Sequence, residues 1–464
     1  MNIEIKLTTE DVIKAVSGML VNGDMGIPFR GVSTDTRIIK PGYLFWALKG
    51  KNFDGHDFWQ TAIKKGAKGL VISYFPQGFV LEKLPRTISV ILVRDTLKAL
   101  GDLAHWWRRK LNFHAVAITG SCGKTTTKEF VYAILSKYFK TSKNIANYNN
   151  LIGVPLSILS FKEGIEIGIL ELATNTPGEI KTLAKIVNPQ TSVITSIYPA
   201  HLEGLKSIEG VLKEKIELFK NTDPNGTLIY NFDNEILREK AKEFSQKKIS
   251  FGMDNNADIS FQDIKIQGEK LKVNIRCKEN FYPLEIQNIG THNLYNLCGA
   301  LAIAYNFGLD LKDVLEKIKD EIPNLVRMKF ISKKNYLIID DTYNANPGSM
   351  KAVLKFLADI SKNYEKILVI LGDMKELGEE SEKFHKEIGE IAGKIADWAI
   401  FIGEMAPYYA EGFAKFKNTF KTFNTVEEFS ENLEIPFKKG VILVKASRAL
   451  ELERVVEKLK EVLE

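Results

Sequence analysis

The sequence holds few residues that could crosslink the chain or place it in a membrane. Only 3 of its 464 residues are cysteine, and Cys122, Cys277 and Cys298 form no CxxC pair, so neither a disulfide framework nor a zinc knuckle is predicted. So little cysteine favours a reducing compartment. No stretch approaches the roughly 18 consecutive apolar residues that a membrane span requires. We therefore expect a cytoplasmic protein that does not insert into membranes.

An excess of one charge is also absent. The 64 basic and 58 acidic residues leave a net charge of +6, spread along the chain, whereas a dedicated nucleic-acid binder concentrates its basic residues in a stripe or cluster. We expect no nucleic-acid partner, and the charge suits a small anionic ligand. With 45% hydrophobic residues, 26% charged residues and only 14 prolines, the composition excludes disordered, collagenous and coiled-coil chains. The length predicts about three domains.

What is present is a repeated alternation of strands and helices. Residues 1–109 begin with a short amphipathic helix and contain apolar strands at 44–48 and 69–73, which predicts a small α/β domain. Over residues 110–322, apolar strands alternate with helical periods, which is typical of a mostly parallel sheet with crossover helices. Alternating residues between 257 and 287 predict an antiparallel extension of that sheet, and two helices follow it.

The last third of the chain repeats the alternation. Apolar strands are predicted at 336–340, 366–371, 398–403 and 441–446. The closing helix carries an apolar stripe that should pack on this second sheet, formed by Leu452, Val455, Val456, Leu459 and Leu463. The sequence therefore predicts an α/β fold with a central, mostly parallel sheet and three domains, 1–109, 110–322 and 323–464.

A phosphate-binding loop is the strongest local signal. In HAVAITGSCGKTTTKEF, an apolar strand runs into a glycine turn and a helix begins at once. The turn contains Gly120, Gly123, Lys124 and Thr125. Glycines let backbone N–H groups face phosphate oxygens, the lysine reaches the terminal phosphates, and the threonine hydroxyl reaches Mg²⁺. Ile118 stands where the general GxxxxGK[ST] pattern has its first glycine. The alternative, a glycine turn with an incidental Lys–Thr pair, is disfavoured by the strand–turn–helix context.

Two further polar residues follow neighbouring strands of the same predicted sheet. Glu171 closes the strand IGILEL, and His201 lies in the loop after the strand TSVITSI. Open parallel sheets bind their ligands at the carboxyl ends of the strands, where a carboxylate and a neutral imidazole are both possible metal ligands. Either residue alone is more often structural. Together with the phosphate loop, they favour a magnesium and nucleotide site.

A lysine stands in an unusual place in the predicted helix from Ser207 to Asn221. Lys213 has glutamates four residues before and after it, as on an ordinary solvated face. Lys215 instead has apolar residues at its helical neighbours, namely Val211, Leu212, Leu218 and Phe219. Such a lysine is modified, paired with a buried anion, or extended to solvent. From the residues alone, extension to solvent is the simplest of the three interpretations.

Eight stretches along the chain resemble the Mur ligases, the ATP-dependent amide-forming enzymes of peptidoglycan synthesis. They are TGSCGKTTTKE (119–129), NIANYNNLIGVPLS (144–157), ELATNTPGEI (171–180), AHLEG (200–204), GTHNLYN (290–296), IIDDTYNANPGSM (338–350), ILGDMKELG (370–378) and VKASRALELERVV (444–456). The resemblance implies an N-terminal domain for a UDP-sugar, a central P-loop-type domain for ATP, and a C-terminal Rossmann-like domain that closes over both. A monomer is expected.

The resemblance also implies which residues bind ATP and metal. The phosphate loop would contribute Gly120, Ser121, Gly123, Lys124, Thr125 and Thr126. Asn293 would contact adenine, Arg327 the phosphates and Asp341 the ribose. Two Mg²⁺ ions are implied, one held by Thr125 and Glu171, the other by His201 and a carbamylated Lys215. Lys124, His201 and Lys215 would be the catalytic residues.

The substrate contacts implied by the resemblance fall in two groups. The stretch STDTRIIKPGYLFWALKGKNFDGHDF would bind the uridine and pyrophosphate, through Ser33, Thr34, Arg37, Asp54 and His56. The remaining substrate-binding residues would be Asn147, Asn150, Tyr343, Asn344, Ser447 and Arg448. The chain departs from the family pattern at Ala446 and at the pair Ala173–Thr174.

The reaction implied is addition of D-alanyl-D-alanine to UDP-N-acetylmuramoyl-tripeptide, with ATP converted to ADP through an acyl phosphate. The enzyme of this family that adds the third residue carries an Asp-Asn-Pro-Arg type signature, which this sequence lacks. Two alternatives remain at this stage. One is another ligase of the superfamily, an earlier peptidoglycan-adding or folylpolyglutamate-type enzyme. The other is a switch protein that hydrolyses ATP without ligation.

Overall fold

The computed structural model describes residues 2–50, 52–267 and 270–463. The N-terminal part forms a mixed sheet. The N-terminal elements are β1 (Asn2–Thr8), α1 (Thr9–Val16), β2 (Met19–Asn22), β3 (Pro28–Ser33), β4 (Tyr43–Trp46), α2 (Trp59–Lys64), β5 (Gly69–Ile72), β6 (Ser89–Leu92) and α3 (Thr96–Leu111). Their sheet has the order β1-β3-β4-β5-β6-β2, parallel from β3 to β6. The predicted helix is α1, and its capping box between Thr8 and Asp11 fixes where it begins.

The central sheet is the largest. Its elements are β7 (His114–Thr119), α4 (Lys124–Leu135), β8 (Thr141–Lys143), α5 (Gly153–Leu159), β9 (Ile167–Glu171), α6 (Glu179–Val187), β10 (Thr191–Ile194), α7 (Leu202–Leu205), α8 (Ile208–Lys215), α9 (Glu217–Lys220), β11 (Thr227–Asn231), α10 (Glu235–Ala241), β12 (Lys247–Gly252), β13 (Ile259–Gln267), β14 (Lys270–Cys277), β15 (Asn280–Gln287), α11 (Thr291–Asn306), α12 (Leu311–Ile318) and α13 (Ile322–Leu325). The strand order is β15-β14-β13-β12-β11-β10-β7-β9-β8. Neighbours from β8 to β13 are parallel, and β13 to β15 form the predicted antiparallel extension.

The register of three central strands determines where the site lies. Ile118 of β7 is paired with Glu171 at the end of β9, and Thr119 is paired with Ile194 at the end of β10. The three loops that follow these strands therefore leave the sheet at the same edge. The parallel register thus brings the phosphate loop, Glu171 and the loop that carries His201 together.

Two helix predictions differ from the structure. The predicted helix from Ser207 to Asn221 is interrupted by a turn at Ile216, although that residue keeps nearly helical dihedrals and stays buried. Between β15 and β16, the described residues form the two predicted helices, α11 and α12, and a third that was not predicted. The third is the short α13, which holds Pro323 in its first turn, where a missing N–H removes no helical hydrogen bond.

The C-terminal part forms a third sheet. Its elements are β16 (Lys329–Lys333), β17 (Tyr336–Asp340), α14 (Pro347–Ile360), β18 (Ile367–Gly372), α15 (Ser381–Ile395), β19 (Trp398–Ile402), α16 (Ala406–Phe413), β20 (Phe420–Phe423), α17 (Val426–Glu431), β21 (Gly440–Lys445) and α18 (Glu453–Val462). The order is β16-β17-β21-β18-β19-β20, parallel except at β16. The predicted stripe of the closing helix is buried against this sheet. Among the described residues, no helix is long and apolar enough to cross a membrane.

Candidate active site

The phosphate loop has a backbone that requires glycine at two positions. Gly120 and Gly123 have φ values of 149° and 83°, in a region that L-residues seldom adopt. A Cβ at Gly123 would lie 2.1 Å from Asn296 Oδ1. Helix α4 begins directly at Lys124, so its free backbone N–H groups face the cavity described below. Lys124 Nζ donates to the Gly120 carbonyl at 2.7 Å. The loop thus has the form of an anion-binding helix terminus.

Glu171 is the centre of a buried polar cluster beside this loop. Its side chain is 2% exposed. Thr125 Oγ1 donates to Oε2 at 2.8 Å, and Asn149 Nδ2 donates to Oε1 at 2.8 Å. The buried Lys128 ammonium lies 3.6 Å from Oε2, and Arg327 donates to the Thr125 hydroxyl. A carboxylate and a hydroxyl in contact are the oxygen ligands that Mg²⁺ prefers.

Lys128 and Asn149 were not predicted as site residues. Lys128 lies one helical turn after Lys124, and its Nζ also donates to the Ala146 carbonyl at 3.1 Å. It therefore joins the loop of residues 144–152 to Glu171. The available signal was the i+4 spacing from Lys124 on a helix that starts at the phosphate loop, since that spacing puts both lysines on one face.

His201 contacts the C-terminal domain. It precedes α7 with a left-handed backbone (φ 53°), and its Nδ1 lies 2.5 Å from Glu376 Oε2. This hydrogen bond lowers the pKa of Glu376, although partial burial opposes the shift. An ionised carboxylate only accepts, so Nδ1 is the donor in this contact, and in the neutral imidazole Nε2 then holds the lone pair. Sequence reasoning missed Glu376 because it lies 175 residues away along the chain.

Lys215 does not reach solvent. Its side chain is 0% exposed, and its Nζ has no hydrogen-bond partner among the described residues, so extension to solvent is the wrong interpretation. Burial, reinforced by the nearby Lys124 charge, lowers the pKa of Lys215 to about 7. The adjacent Glu214 carboxylate is already bonded to the backbone N–H groups of Gly178 and Ile180. The Lys215 amine therefore has no hydrogen-bonded anion among the described residues.

A cavity of about 1100 Å³ lies between the central and C-terminal domains. The predicted site residues that line it are Ser121, Gly123, Lys124, Thr125, Thr126, Asn147, Glu171, His201, Asn293, Arg327, Asp341, Tyr343, Asn344, Ser447 and Arg448. Gly120, Asn150 and Lys215 lie outside its lining, and Asn150 accepts from the backbone N–H of Gly153 at 2.8 Å. The cavity thus offers a single volume to a nucleoside triphosphate and a second substrate.

The C-terminal wall of this cavity is held by a buried lysine. Lys445 Nζ lies 2.7 Å from Asp341 Oδ2 and donates to the Asn344 carbonyl at 2.7 Å. The Arg327 guanidinium stacks on the Tyr343 ring at 3.5 Å. Lys445 was not predicted, although it directly precedes the Ala-Ser-Arg run. It fixes the DDTYNA loop to the end of β21.

The five predicted uridine-site residues lie in the N-terminal domain and do not line this cavity. His56 Nδ1 is 2.6 Å from Asp54 Oδ1, and the His56 ring stacks on Tyr74 at 4.2 Å. Burial opposes ionisation of Asp54, but hydrogen bonds from the His56 N–H and the Tyr74 hydroxyl bring its pKa to about 2. Arg37 is exposed and paired with Asp35 at 2.7 Å. Asp54 and His56 come together, while Arg37 stands apart on the surface.

Comparison with known proteins identifies the family. Family profiles match in chain order, namely "Mur ligase family, catalytic domain" over 28–108, "Mur ligase middle domain" over 118–304 and "Mur ligase, glutamate ligase domain" over 326–448. The UDP-N-acetylmuramoyl-tripeptide–D-alanyl-D-alanine ligase of Bacillus subtilis (strain 168) is 34% identical over 98% of this chain and 99% of its own length. This chain belongs to the Mur ligase family.

Solved structures with the same architecture support the three-domain fold of this Mur ligase. A crystal structure of MurF from Acinetobacter baumannii matches with a TM-score of 0.89 and 29% identity over 99% of both chains. A MurF ligase from Thermotoga maritima in complex with ADP matches with a TM-score of 0.81 and 28% identity, over 93% of this chain and 97% of the other. The predicted α/β fold class is thereby confirmed.

Both departures of this Mur ligase from the family pattern are accommodated locally. Ala446 is fully buried, and a Cβ at Gly372 would lie 2.8 Å from the Ala446 Cβ, so the extra methyl occupies space beside a glycine. The Ser447 N–H still donates to the Asp373 carbonyl at 3.1 Å. The Thr174 hydroxyl lies 3.2 Å from Glu214 Oε1, which ties the loop after β9 to α8.

Proposed function

We propose that this Mur ligase joins D-alanyl-D-alanine to UDP-N-acetylmuramoyl-tripeptide in peptidoglycan synthesis, with ATP converted to ADP. The observation that carries the proposal is 34% identity to a ligase of that name over nearly the full length of both chains. The cavity supports it chemically, because the phosphate loop, Glu171 and His201 face the C-terminal wall across one volume.

Each domain has a separate task in this proposal. Residues 1–109 bind the UDP-sugar, residues 110–322 bind ATP, and residues 323–464 close over the reacting groups. We also propose that the enzyme acts as a monomer. The partners are small molecules, with no part for nucleic acid or membrane.

Phosphoryl transfer comes first. The terminal carboxylate of the tripeptide attacks the γ-phosphorus of ATP, ADP leaves, and an acyl phosphate forms. Because two anions approach each other, the protein contributes mainly position and positive potential. The N-terminus of α4, Lys124 and the neighbouring Arg327 supply that potential.

The residues present fit two Mg²⁺ ions. Thr125 and Glu171 would hold the first, and His201 and a carbamate on Lys215 would hold the second; the unpartnered, buried Lys215 amine is the observation that favours such a modification. When bound, Mg²⁺ neutralises phosphate charge. Among the described residues, no three His, Cys, Asp or Glu side chains form a metal cluster.

Amide formation follows. The amine of D-alanyl-D-alanine attacks the acyl carbon, a tetrahedral intermediate forms, and phosphate leaves. The acyl phosphate must be kept from water, and the C-terminal domain does so by covering the cavity with Tyr343, Asn344, Ser447 and Arg448. Asp341, held by Lys445, and Asn293 position the ribose and adenine of the nucleotide.

ADP release measured against a panel of acceptors tests this function. Turnover should require both UDP-N-acetylmuramoyl-tripeptide and D-alanyl-D-alanine, with a ligated product detected by mass. Turnover with a shorter muramoyl substrate and a single amino acid would indicate another ligase of the family. ADP release that is independent of any acceptor would indicate a switch protein and would contradict the proposal.

A double substitution tests the role of the N-terminal domain. Thr34→Ala with Arg37→Ala should raise the KM for the UDP-sugar about 10-fold or more, since loss of hydrogen bonds to a charged group costs about 1.5–3 kcal/mol, and should leave the KM for ATP unchanged. Arg37 is an exposed side chain, so folding should be unaffected. Lys40→Ala, an exposed lysine paired with Glu4, is the matched control. An equal rise in the KM for the UDP-sugar and the KM for ATP would show that the site is misassigned.

A further inference from the structure

The contact between His201 and Glu376 joins two domains at a predicted metal ligand. His201 belongs to the central domain, and Glu376 lies in the turn that follows β18 of the C-terminal domain. Besides the 2.5 Å contact between Nδ1 and Oε2, the backbone N–H of Glu203 donates to the Glu376 carbonyl at 3.3 Å. The two segments therefore meet through backbone as well as side chain.

The turn that carries Glu376 is fixed to its own domain. Met374, two residues before Glu376, is 1% exposed, and its N–H donates to His385 Nε2 at 2.9 Å. The N–H of Lys375 donates to Ser447 Oγ at 2.9 Å. These bonds tie the turn to α15 and to the loop after β21. The Glu376 carboxylate must therefore move with the C-terminal domain when that domain moves.

His201 has a fixed backbone, and Glu376 sets the orientation of its ring. Its carbonyl accepts from the N–H groups of Gly204 and Leu205 at 3.1 and 2.9 Å, which holds the main chain against α7. In the neutral imidazole, the hydrogen bond to Glu376 keeps the proton on Nδ1 and leaves the Nε2 lone pair available. A carboxylate that accepts from a metal-ligating histidine orients the ring and raises its basicity.

We propose that Glu376 is a positioning residue for the second metal site. It orients His201 only when the C-terminal domain lies against the central domain, so divalent-metal binding and domain closure stabilise each other by the same factor. This inference rests on the proposed function, because that function makes His201 a metal ligand. The Glu376 side chain is 48% exposed, and a pair of this kind contributes little to folding, so its variants should fold.

The test is a titration of the full-length protein with Mn²⁺ in saturating ADP. Electron paramagnetic resonance measures the free Mn²⁺, and the bound Mn²⁺ is the difference from the total. The wild type should bind two ions. Glu376→Ala should keep one site and weaken the other about 10- to 100-fold. Glu376→Gln should lose less Mn²⁺ affinity at that site than Glu376→Ala, because its amide oxygen still accepts from Nδ1–H. Glu379→Ala, an exposed glutamate of the same segment, should match the wild type.

A double variant separates positioning from a general structural effect. If Glu376 acts through His201, then His201→Ala and His201→Ala with Glu376→Ala should bind Mn²⁺ equally, because removing the second residue removes nothing further. Small-angle X-ray scattering should show that metal compacts the wild type more than Glu376→Ala. Additive losses in the double variant, weakening of both sites alike, or unchanged Mn²⁺ binding by Glu376→Ala would each overturn the proposal.

The metal measurement does not depend on ligation. If the wild type shows no release of ADP that depends on D-alanyl-D-alanine, the proposed function fails while the comparison of Mn²⁺ affinities still decides the role of Glu376. If ligation occurs and Glu376→Ala binds metal normally, only the inference about Glu376 fails. A wild type that binds a single Mn²⁺ would overturn it as well.

Discussion

Lys124→Ala is expected to abolish ligation in a protein that remains folded. Lys124 lies at the start of α4, where its ammonium is bonded only to the Gly120 carbonyl among the described contacts. It packs in no hydrophobic cluster, so its removal should leave the thermal unfolding midpoint nearly unchanged. The ammonium is needed where negative charge develops during phosphoryl transfer, and loss of one such group costs about 10²- to 10³-fold in kcat.

The measurement is steady-state ADP release with both acceptors present. The KM for the UDP-sugar should change little, because that substrate binds mainly through the N-terminal domain in the proposed arrangement. Lys140→Ala, an exposed lysine shortly after the same helix, should retain wild-type turnover. Near-normal kcat in Lys124→Ala would show that this loop does not bind the ATP phosphates.

Most of the central site was predictable because its signals are local in sequence. The phosphate loop and Glu171 each stand next to a strand that is recognisable by its apolar run. Only the parallel pairing of β7 with β9 and β10 was needed to place them together. The closing helix α18 was predictable for the same reason, since its stripe has a clear helical period.

The residues that sequence reasoning missed are defined by contacts between distant segments. Glu376 and Lys445 contact His201 and Asp341 across 175 and 104 residues. Both lie in stretches that resemble the family, but the resemblance assigned neither of them a role. The edge strand β2 was not predicted because it is only four residues long and has no alternation of buried and exposed residues. Strand β1 does alternate in burial, but the charges within it obscured the signal.

Lys215 shows both the reach and the limit of a helical pattern. The helical spacing puts apolar residues beside Lys215, and three of them, Val211, Leu218 and Phe219, are fully buried. The same spacing could not show whether the end of the side chain reaches water, because that depends on elements elsewhere in the chain. Here burial lowers the pKa of Lys215, and the charge of Lys124 on α4 lowers it further.

Lys215→Ala is expected to be nearly inactive yet folded, and a short carboxylic acid at high concentration should partly restore its activity. The neutral amine attacks the carbon of CO₂, forms an N–C bond and releases one proton, which leaves a carbamate anion. Compared with the ammonium form, the carbamate attracts Lys124 where the ammonium repelled it, and it provides oxygen ligands for Mg²⁺. Acetate in the space left by alanine would supply similar oxygens.

Two controls and a direct observation accompany this rescue. Lys213→Ala, two residues earlier and exposed, should behave like the wild type. Lys215→Met, which fills the site, should be inactive and should not respond to acetate. Protein equilibrated with ¹³C-bicarbonate should give a carbamate resonance that is absent from both Lys215 variants. An unmodified lysine in the active wild type, or equal effects of Lys213→Ala and Lys215→Ala, would contradict the assignment.

The unmodified lysine also predicts how stability depends on pH. Its pKa is about 7 when folded, below the unfolded value of 10.5, so burial of the ammonium destabilises the fold. This destabilisation is fully present below pH 7 and disappears as the pH rises toward 10.5. In CO₂-free buffer, Lys215→Met should therefore have a higher Tm than the wild type at pH 6, and the difference should shrink by pH 9. A difference that stays constant across this range would show that Lys215 does not titrate near neutrality.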